Sequence, residues 1–169
     1  MDAQSVVDAA CAFLKRHRLI LATAESCTAG KVIELLAQVP GSGACLDVGY
    51  VVYSEQAKKR VLGVQSYTID TFSLTSEEVA REMVRGALQN SAANVAIATT
   101  GIAGPDDLDG VAAGTVCLTW GFQRDAELVL FSRREHFPGN RRQVIESAAL
   151  HALRGIALFH EKWQRGERG

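Results

Sequence analysis

The chain lacks long apolar runs: none reaches the roughly 18 residues needed to span a bilayer, which argues against a transmembrane segment. Its start, Met1-Asp2-Ala3-Gln4, is acidic and no uninterrupted apolar stretch follows, so it does not read as a secretory signal. It also lacks an excess of either charge. Lys and Arg number 18 against 19 Asp and Glu, a net charge of −1, and the basic residues are spread along the chain. Composition therefore points neither to nucleic acid nor to a membrane surface as partner. The four cysteines, Cys11, Cys27, Cys45 and Cys117, form no C-x-x-C pair. That spacing argues against a structural zinc site and against a disulfide framework, and leaves four small buried thiols. The histidines, His17, His136, His151 and His160, make no HExxH or similar ligand pattern and read as surface or helix-edge residues. No metal and no cofactor is expected. There is no internal repeat and no low-complexity tract.

What is present is an ordinary globular composition, 47% hydrophobic and 22% charged over 169 residues. The expectation is one cytoplasmic domain over 1–169, with its core between about 5 and 163. Apolar periodicity predicts helices over 5–17, 31–38, 55–62, 75–90 and 141–163. Ser54 and Asn140 read as N-caps, and Thr75-Ser76-Glu77-Glu78 as a capping box in which Thr75 bonds the Glu78 N–H. Short apolar runs predict strands over 19–23, 45–53, 94–99, 115–120 and 127–137, the last two as an antiparallel pair. Residues 65–74 show no periodicity and read as a loop, as do 40–43 and the Gly- and Asp-rich stretch 100–114. Strands alternating with helices, followed by a hairpin, imply an α/β fold, a three-layer α/β/α sandwich with a mixed sheet.

In such sheets ligands sit beyond the carboxyl ends of the parallel strands. Three strand ends would then meet, those at 23–26, 53–54 and 99–101. The first, Ala24-Glu25-Ser26-Cys27-Thr28-Ala29-Gly30, leads into a helix and places Ser26 and Thr28 where unpaired N–H groups favour an anion or an oxyanion. It is not a Walker A loop, because Glu25 stands at the first glycine position and Val32 where a magnesium-binding hydroxyl belongs. Cys27 has no histidine near it in sequence and reads as a packing residue. Lys58, at the start of a helix, could serve as a general base if burial lowered its pKa. Gly101 and Gly104 would let the backbone approach a ligand, and Arg141 and Arg142 in a helix's first turn suggest an anion to bind.

Five segments, in order, resemble the CinA C-terminal domain family, the family of nicotinamide mononucleotide deamidases. They are Ala24-Glu25-Ser26-Cys27-Thr28-Ala29-Gly30, Tyr53-Ser54-Glu55-Gln56-Ala57-Lys58, Gly101-Ile102-Ala103-Gly104-Pro105, Gly114-Thr115-Val116 and Phe137-Pro138-Gly139-Asn140-Arg141. The resemblance implies hydrolysis of the carboxamide of nicotinamide mononucleotide to nicotinate mononucleotide and ammonia, in pyridine nucleotide recycling. It implies a serine nucleophile with a lysine base, a small-molecule nucleotide substrate, and self-association into a homo-oligomer. By position Lys58 would be the base, Tyr53 and Thr100 would line the site, and Arg141, with Arg142 in reserve, would contact phosphate. Thr28 and Gly30 would belong to its anion-binding wall. Three departures from the family pattern stand out. Ala29 replaces the first of two glycines, and an Asp-rich loop ending in Ala112-Ala113 replaces one with Lys-Pro. Gly41-Ser42-Gly43 stands where the family has Gly-Ser-Ser. If the second serine of that pair were the nucleophile, Gly43 has lost it, and Ser42 or Ser26 would have to act. The alternative is a catalytically impaired member that still binds a pyridine nucleotide or a partner protein.

Overall fold

A computed structural model describes residues 1–169 and places five strands in one sheet of order β2-β1-β3-β4-β5. β1 (Leu21–Glu25) pairs in parallel with both β2 (Leu46–Val51) and β3 (Val95–Gly101). β4 (Thr115–Arg124) and β5 (Glu127–His136) continue the sheet antiparallel. Helices α1 (Ala3–Arg16), α2 (Lys31–Ala37) and α6 (Arg141–Gln164) cover one face; α3 (Glu55–Leu62) and α5 (Glu77–Gln89) cover the other. This is the expected three-layer mixed α/β sandwich. None of its helices is long and apolar enough to cross a membrane.

The alternation along the central strands sets the two layers. Leu21, Val95 and Ile97 point to the α1–α2–α6 side, where Leu14, Leu36, Trp120 and Ile156 complete a core. Ala22, Ala24, Ala96 and Ala98 point to the other side, where α5 brings Val79, Met83 and Val84 onto the small residues. Both faces being covered, β1 and β3 bury nearly every residue, which is why they read as continuous apolar runs. Ser54 and Asn140 cap α3 and α6 as expected, and Asn140 forms a complete capping box with Gln143.

Three local expectations are corrected. Residues 66–72 are not loop but a further helix, α4 (Ser66–Phe72). Its first turn is held by a carboxylate from α5: Glu82 accepts from the Gln65 N–H at 2.9 Å and from the Thr68 hydroxyl at 2.7 Å. A cap supplied from 14 or more residues away leaves no local signal. The capping box at 75–78 does not form either. Ser76 is the cap of α5, its hydroxyl accepting from the Val79 N–H at 3.2 Å, so the Thr75 hydroxyl has no capping duty. Finally, His160 is buried rather than at a helix edge, ringed by Phe13, Phe122 and Trp163.

α6 lies close to the sheet because Gly155 has no side chain. A Cβ there would stand 2.3 Å from the Trp120 indole, whose N–H donates to the Ala152 carbonyl at 2.8 Å. Gly155→Ala should therefore cost about 2–3 kcal/mol of overpacking strain, read as a lower urea midpoint.

Candidate active site

The site begins with a carboxylate buried at the end of β1. Glu25 is 1% exposed and accepts three hydrogen bonds: from the Thr28 hydroxyl at 2.6 Å, the Val32 N–H at 2.9 Å and the Ile33 N–H at 3.2 Å. The Thr28 and Thr99 hydroxyls meet at 2.7 Å, which ties the turn to the neighbouring strand. Glu25 thus fills the N-terminus of α2 from within the chain, and the expected anion site there is already occupied by the protein's own carboxylate. Thr28 is buried with its hydroxyl spent on this brace, so it does not line the cavity described below. Gly30 turns the chain into α2 at a φ of +93°, with Val51 close behind it, and is likewise outside the cavity.

The brace fixes Ser26, whose N–H donates to the Thr99 carbonyl at 3.0 Å. Across from it α3 brings in Lys58, 2% exposed, whose Nζ donates to the Ser26 Oγ at 2.9 Å and to the Val52 and Tyr53 carbonyls at 3.0 Å each. None of these partners is charged. Burial accordingly lowers the Lys58 pKa, opposed by the nearby Cys27 and Glu55. The three donated bonds are those of the ammonium; in the neutral amine two N–H groups stay on the carbonyls, and the lone pair faces the Ser26 hydroxyl, which then becomes the donor. Cys27, beside Ser26, is pushed up to about 12 by burial and stays a thiol, so it offers no competing nucleophile.

Ser26 and Lys58 open into a cavity of about 690 Å³. Thr100 lies in its wall with the hydroxyl donating to the Leu74 carbonyl at 2.9 Å. Gly101 is there because a Cβ would stand 2.4 Å from the Thr115 carbonyl oxygen. Residues 102–114 form a flap over the cavity, closed by paired bonds between Leu108 and Val111. Its tip, Asp109-Gly110, has both φ angles positive, the geometry of a tight hairpin turn. Asp107 accepts from the Ala113 N–H at 2.8 Å and stiffens the flap from inside. Arg141 clamps the mouth: one guanidinium nitrogen donates to the Gly104 carbonyl at 2.6 Å, the other to the Tyr53 hydroxyl at 2.8 Å. Glu55, Asp106, Asp107 and Asp109 line the same cavity, none of them ion-paired with Arg141. No three His, Cys, Asp or Glu side chains converge as a metal site would require.

Of the predicted residues, the fold brings Ser26, Tyr53, Lys58, Thr100, Gly101, Gly104 and Arg141 together around one cavity. It does not bring Ser42. Ser42 lies in a short 3-10 turn (Ser42–Ala44) before β2, its carbonyl accepting from the Cys45 N–H. Lys58 sits past the other end of that strand, six residues or about 20 Å away. The expected pairing of Ser42 with Lys58 is therefore corrected, and Gly43 shares Ser42's remote position. Arg142 leaves the main cavity as well; it lines a separate hollow of about 430 Å³ with Lys31, Ile145, Glu146 and the other side of Arg141. The sequence reading missed the wall from Ile69 to Thr75, which only the packing of α4 against α5 delivers.

This geometry can be set beside known proteins. A family model described as the CinA C-terminal domain matches residues 3–159. The chain is 42% identical over 144 residues to the nicotinamide-nucleotide amidohydrolase PncC of Pseudomonas putida, covering 85% of this chain and 88% of that protein. It is 44% identical over 115 residues to a CinA-like protein of Chlorobium phaeobacteroides, of which it spans 27%. Its fold superposes on the crystal structure of the competence damage-inducible protein A (ComA) of Klebsiella pneumoniae with a TM-score of 0.90. That match has 32% identity and covers 96% of this chain and 99% of the other. A CinA superfamily protein of Escherichia coli superposes with a TM-score of 0.84 at 32% identity, over 92% of this chain and 89% of that one.

Removing the carboxylate that braces the turn should be costly. Glu25→Ala leaves the buried Val32 N–H and the half-buried Ile33 N–H without an acceptor and strips Thr28 of its carboxylate partner, and the expected loss is about 3 kcal/mol of unfolding free energy in a denaturant titration.

Proposed function

The chain belongs to the CinA C-terminal domain family, and on that premise we propose that it hydrolyses the carboxamide of nicotinamide mononucleotide, with Ser26 as nucleophile and Lys58 as base. The observation that carries this reading is the 2.9 Å contact between a buried lysine amine and a serine hydroxyl at the floor of a cavity. The relative from Pseudomonas putida supports the substrate class.

The chemistry follows from the geometry. Neutral Lys58 takes the Ser26 proton as the Oγ attacks the carboxamide carbon, and the carbonyl electrons move onto oxygen. The Cys27 N–H, which makes no main-chain hydrogen bond, is the oxyanion donor of this reading, as the N–H of the residue after a nucleophile commonly is. The Lys58 ammonium then returns its proton to the departing nitrogen, which leaves as ammonia, and an ester to Ser26 remains. Water, deprotonated by Lys58, attacks the ester, and the ammonium returns that proton to the Ser26 Oγ as it leaves, freeing nicotinate mononucleotide and regenerating the neutral amine. The Val52 and Tyr53 carbonyls keep the amine aimed at Ser26 in both protonation states. Arg141 is the anion contact of this reading. The reading of an impaired protein rests on Gly43 and weakens with its distance from Lys58.

Ammonia release from nicotinamide mononucleotide is the test. Wild type should turn over, Ser26→Ala should lose about a thousandfold or more in kcat, and Gly43→Ser should match wild type. A folded wild type that releases no ammonia would sink the reading.

The pH profile checks the base. Only neutral Lys58 can accept the proton, so kcat/KM should rise with pH and level off above the Lys58 pKa. Burial puts that pKa below the ordinary 10.5, so the midpoint should fall below that value. Lys58→Arg, which stays protonated throughout, should abolish the rise together with the activity.

A further inference from the structure

The segment joining α4 to α5 carries an unusual backbone. Ser73 has φ 72° and ψ 167°, a combination that only glycine adopts without strain. Such strain persists only where surrounding structure holds it, and here the holding is explicit. The Ser73 N–H donates to the Ile69 carbonyl at 2.8 Å, and the Ser76 hydroxyl donates to the Ser73 carbonyl at 2.8 Å. The Leu74 carbonyl accepts from the Thr100 hydroxyl at 2.9 Å, and the Thr75 carbonyl from Arg134 at 3.1 Å. Ser73, Leu74 and Thr75 all line the cavity that holds Ser26 and Lys58.

One polar group in this strap is left over. Thr75 is 7% exposed, and its hydroxyl makes no hydrogen bond within the chain, because Ser76 and not Thr75 caps α5. The other hydroxyls of the cavity are all engaged: Ser26 with Lys58, Thr100 with Leu74, Tyr53 with Arg141 and Ser73 with the Thr75 carbonyl. The Thr75 hydroxyl is not sealed from solvent, so water can satisfy it in the cavity and a polar group of a bound molecule can take that water's place. The strap is moored to the strand end that also holds the nucleophile. Ser26 N–H bonds the Thr99 carbonyl, and the next residue, Thr100, bonds Leu74.

We infer that the Thr75 hydroxyl is a substrate-binding contact, hydrogen-bonded to the carboxamide end of the substrate, and that the strained Ser73 turn exists to present it. The inference rests on the amidohydrolase reading above. Threonine suits the role, since its branched Cβ restricts χ1 and holds the hydroxyl in few orientations before binding.

Thr75→Val keeps the shape and removes the hydroxyl; Thr75→Ser keeps the hydroxyl. Kinetics of ammonia release are measured for both beside wild type. Binding of nicotinamide mononucleotide is measured by calorimetry with Ser26→Ala added to each, so that no turnover intervenes. Thr75→Val should raise KM and Kd about fivefold, the worth of one neutral hydrogen bond, with kcat within about twofold. Thr75→Ser should restore both, and the melting temperature should stay at the wild-type value because no intramolecular bond is lost. An active wild type whose KM and Kd are unmoved by Thr75→Val overturns the inference and leaves the amidohydrolase reading intact. A lowered melting temperature with weakened binding that Thr75→Ser does not restore also overturns it, as that is a packing role. Binding that weakens in Thr75→Val, in a wild type that releases no ammonia, upholds the contact and overturns the reaction. A wild type that neither binds nor turns over the nucleotide overturns both.

Discussion

The site depends on a carboxylate that lies outside its cavity. A glutamate at the end of a central strand is costly to bury unless its oxygens are satisfied. Glu25 is satisfied by two N–H groups of α2 and by Thr28, which in turn touches Thr99. These bonds join β1, the turn after it, α2 and β3 into one unit, so Ser26 sits on a rigid corner rather than on a mobile loop. They also settle where an anion cannot go. The positive end of α2 is neutralised by Glu25, and the cationic side of the site falls to Arg141.

Lys58 is the complementary case, a buried amine held without any opposing charge. Had one of its three acceptors been a carboxylate, the ammonium would be stabilised and the group would be a structural ion pair. With two main-chain carbonyls and a serine hydroxyl instead, desolvation dominates and the neutral amine becomes accessible. The contrast between Glu25 and Lys58, both nearly sealed from solvent, separates bracing from chemistry within a few residues of sequence.

How much of this was legible in the sequence follows from the range of each interaction. The buried strands β1 and β3 and the caps Ser54 and Asn140 are local patterns, and they stand where periodicity and capping chemistry put them. α4 was not legible, because its first turn is held by Glu82 from the following helix. Nor was the choice between Ser26 and Ser42. Both flank strands in similar loop chemistry, and only the parallel pairing of β1 with β2 puts one beside Lys58 and the other at the far end of the sheet. The α2 N-terminus was legible as a cluster of free donors but not as one already filled, since no spacing pattern ties Glu25 to N–H groups seven and eight residues further on. Arg141 reads as a helix-start arginine, whereas its clamp reaches Gly104 and Tyr53, 37 and 88 residues away.

If nicotinamide mononucleotide is the substrate, as proposed, the charges around the cavity favour one orientation of it. Such a molecule carries a positive pyridinium ring and a negative phosphate. The flap carboxylates Asp106, Asp107 and Asp109 would repel a phosphate, whereas Arg141 would attract one. A cationic ring beneath the acidic flap and a phosphate toward Arg141 satisfy both at once, with the carboxamide directed to the Ser26–Lys58 floor. The Asp-rich flap, which departs from the Lys-Pro pattern, then acts on the ring rather than on the phosphate. Its effect is to raise the cost of binding the ligand in reverse, since that would put like charges together at both ends of the cavity.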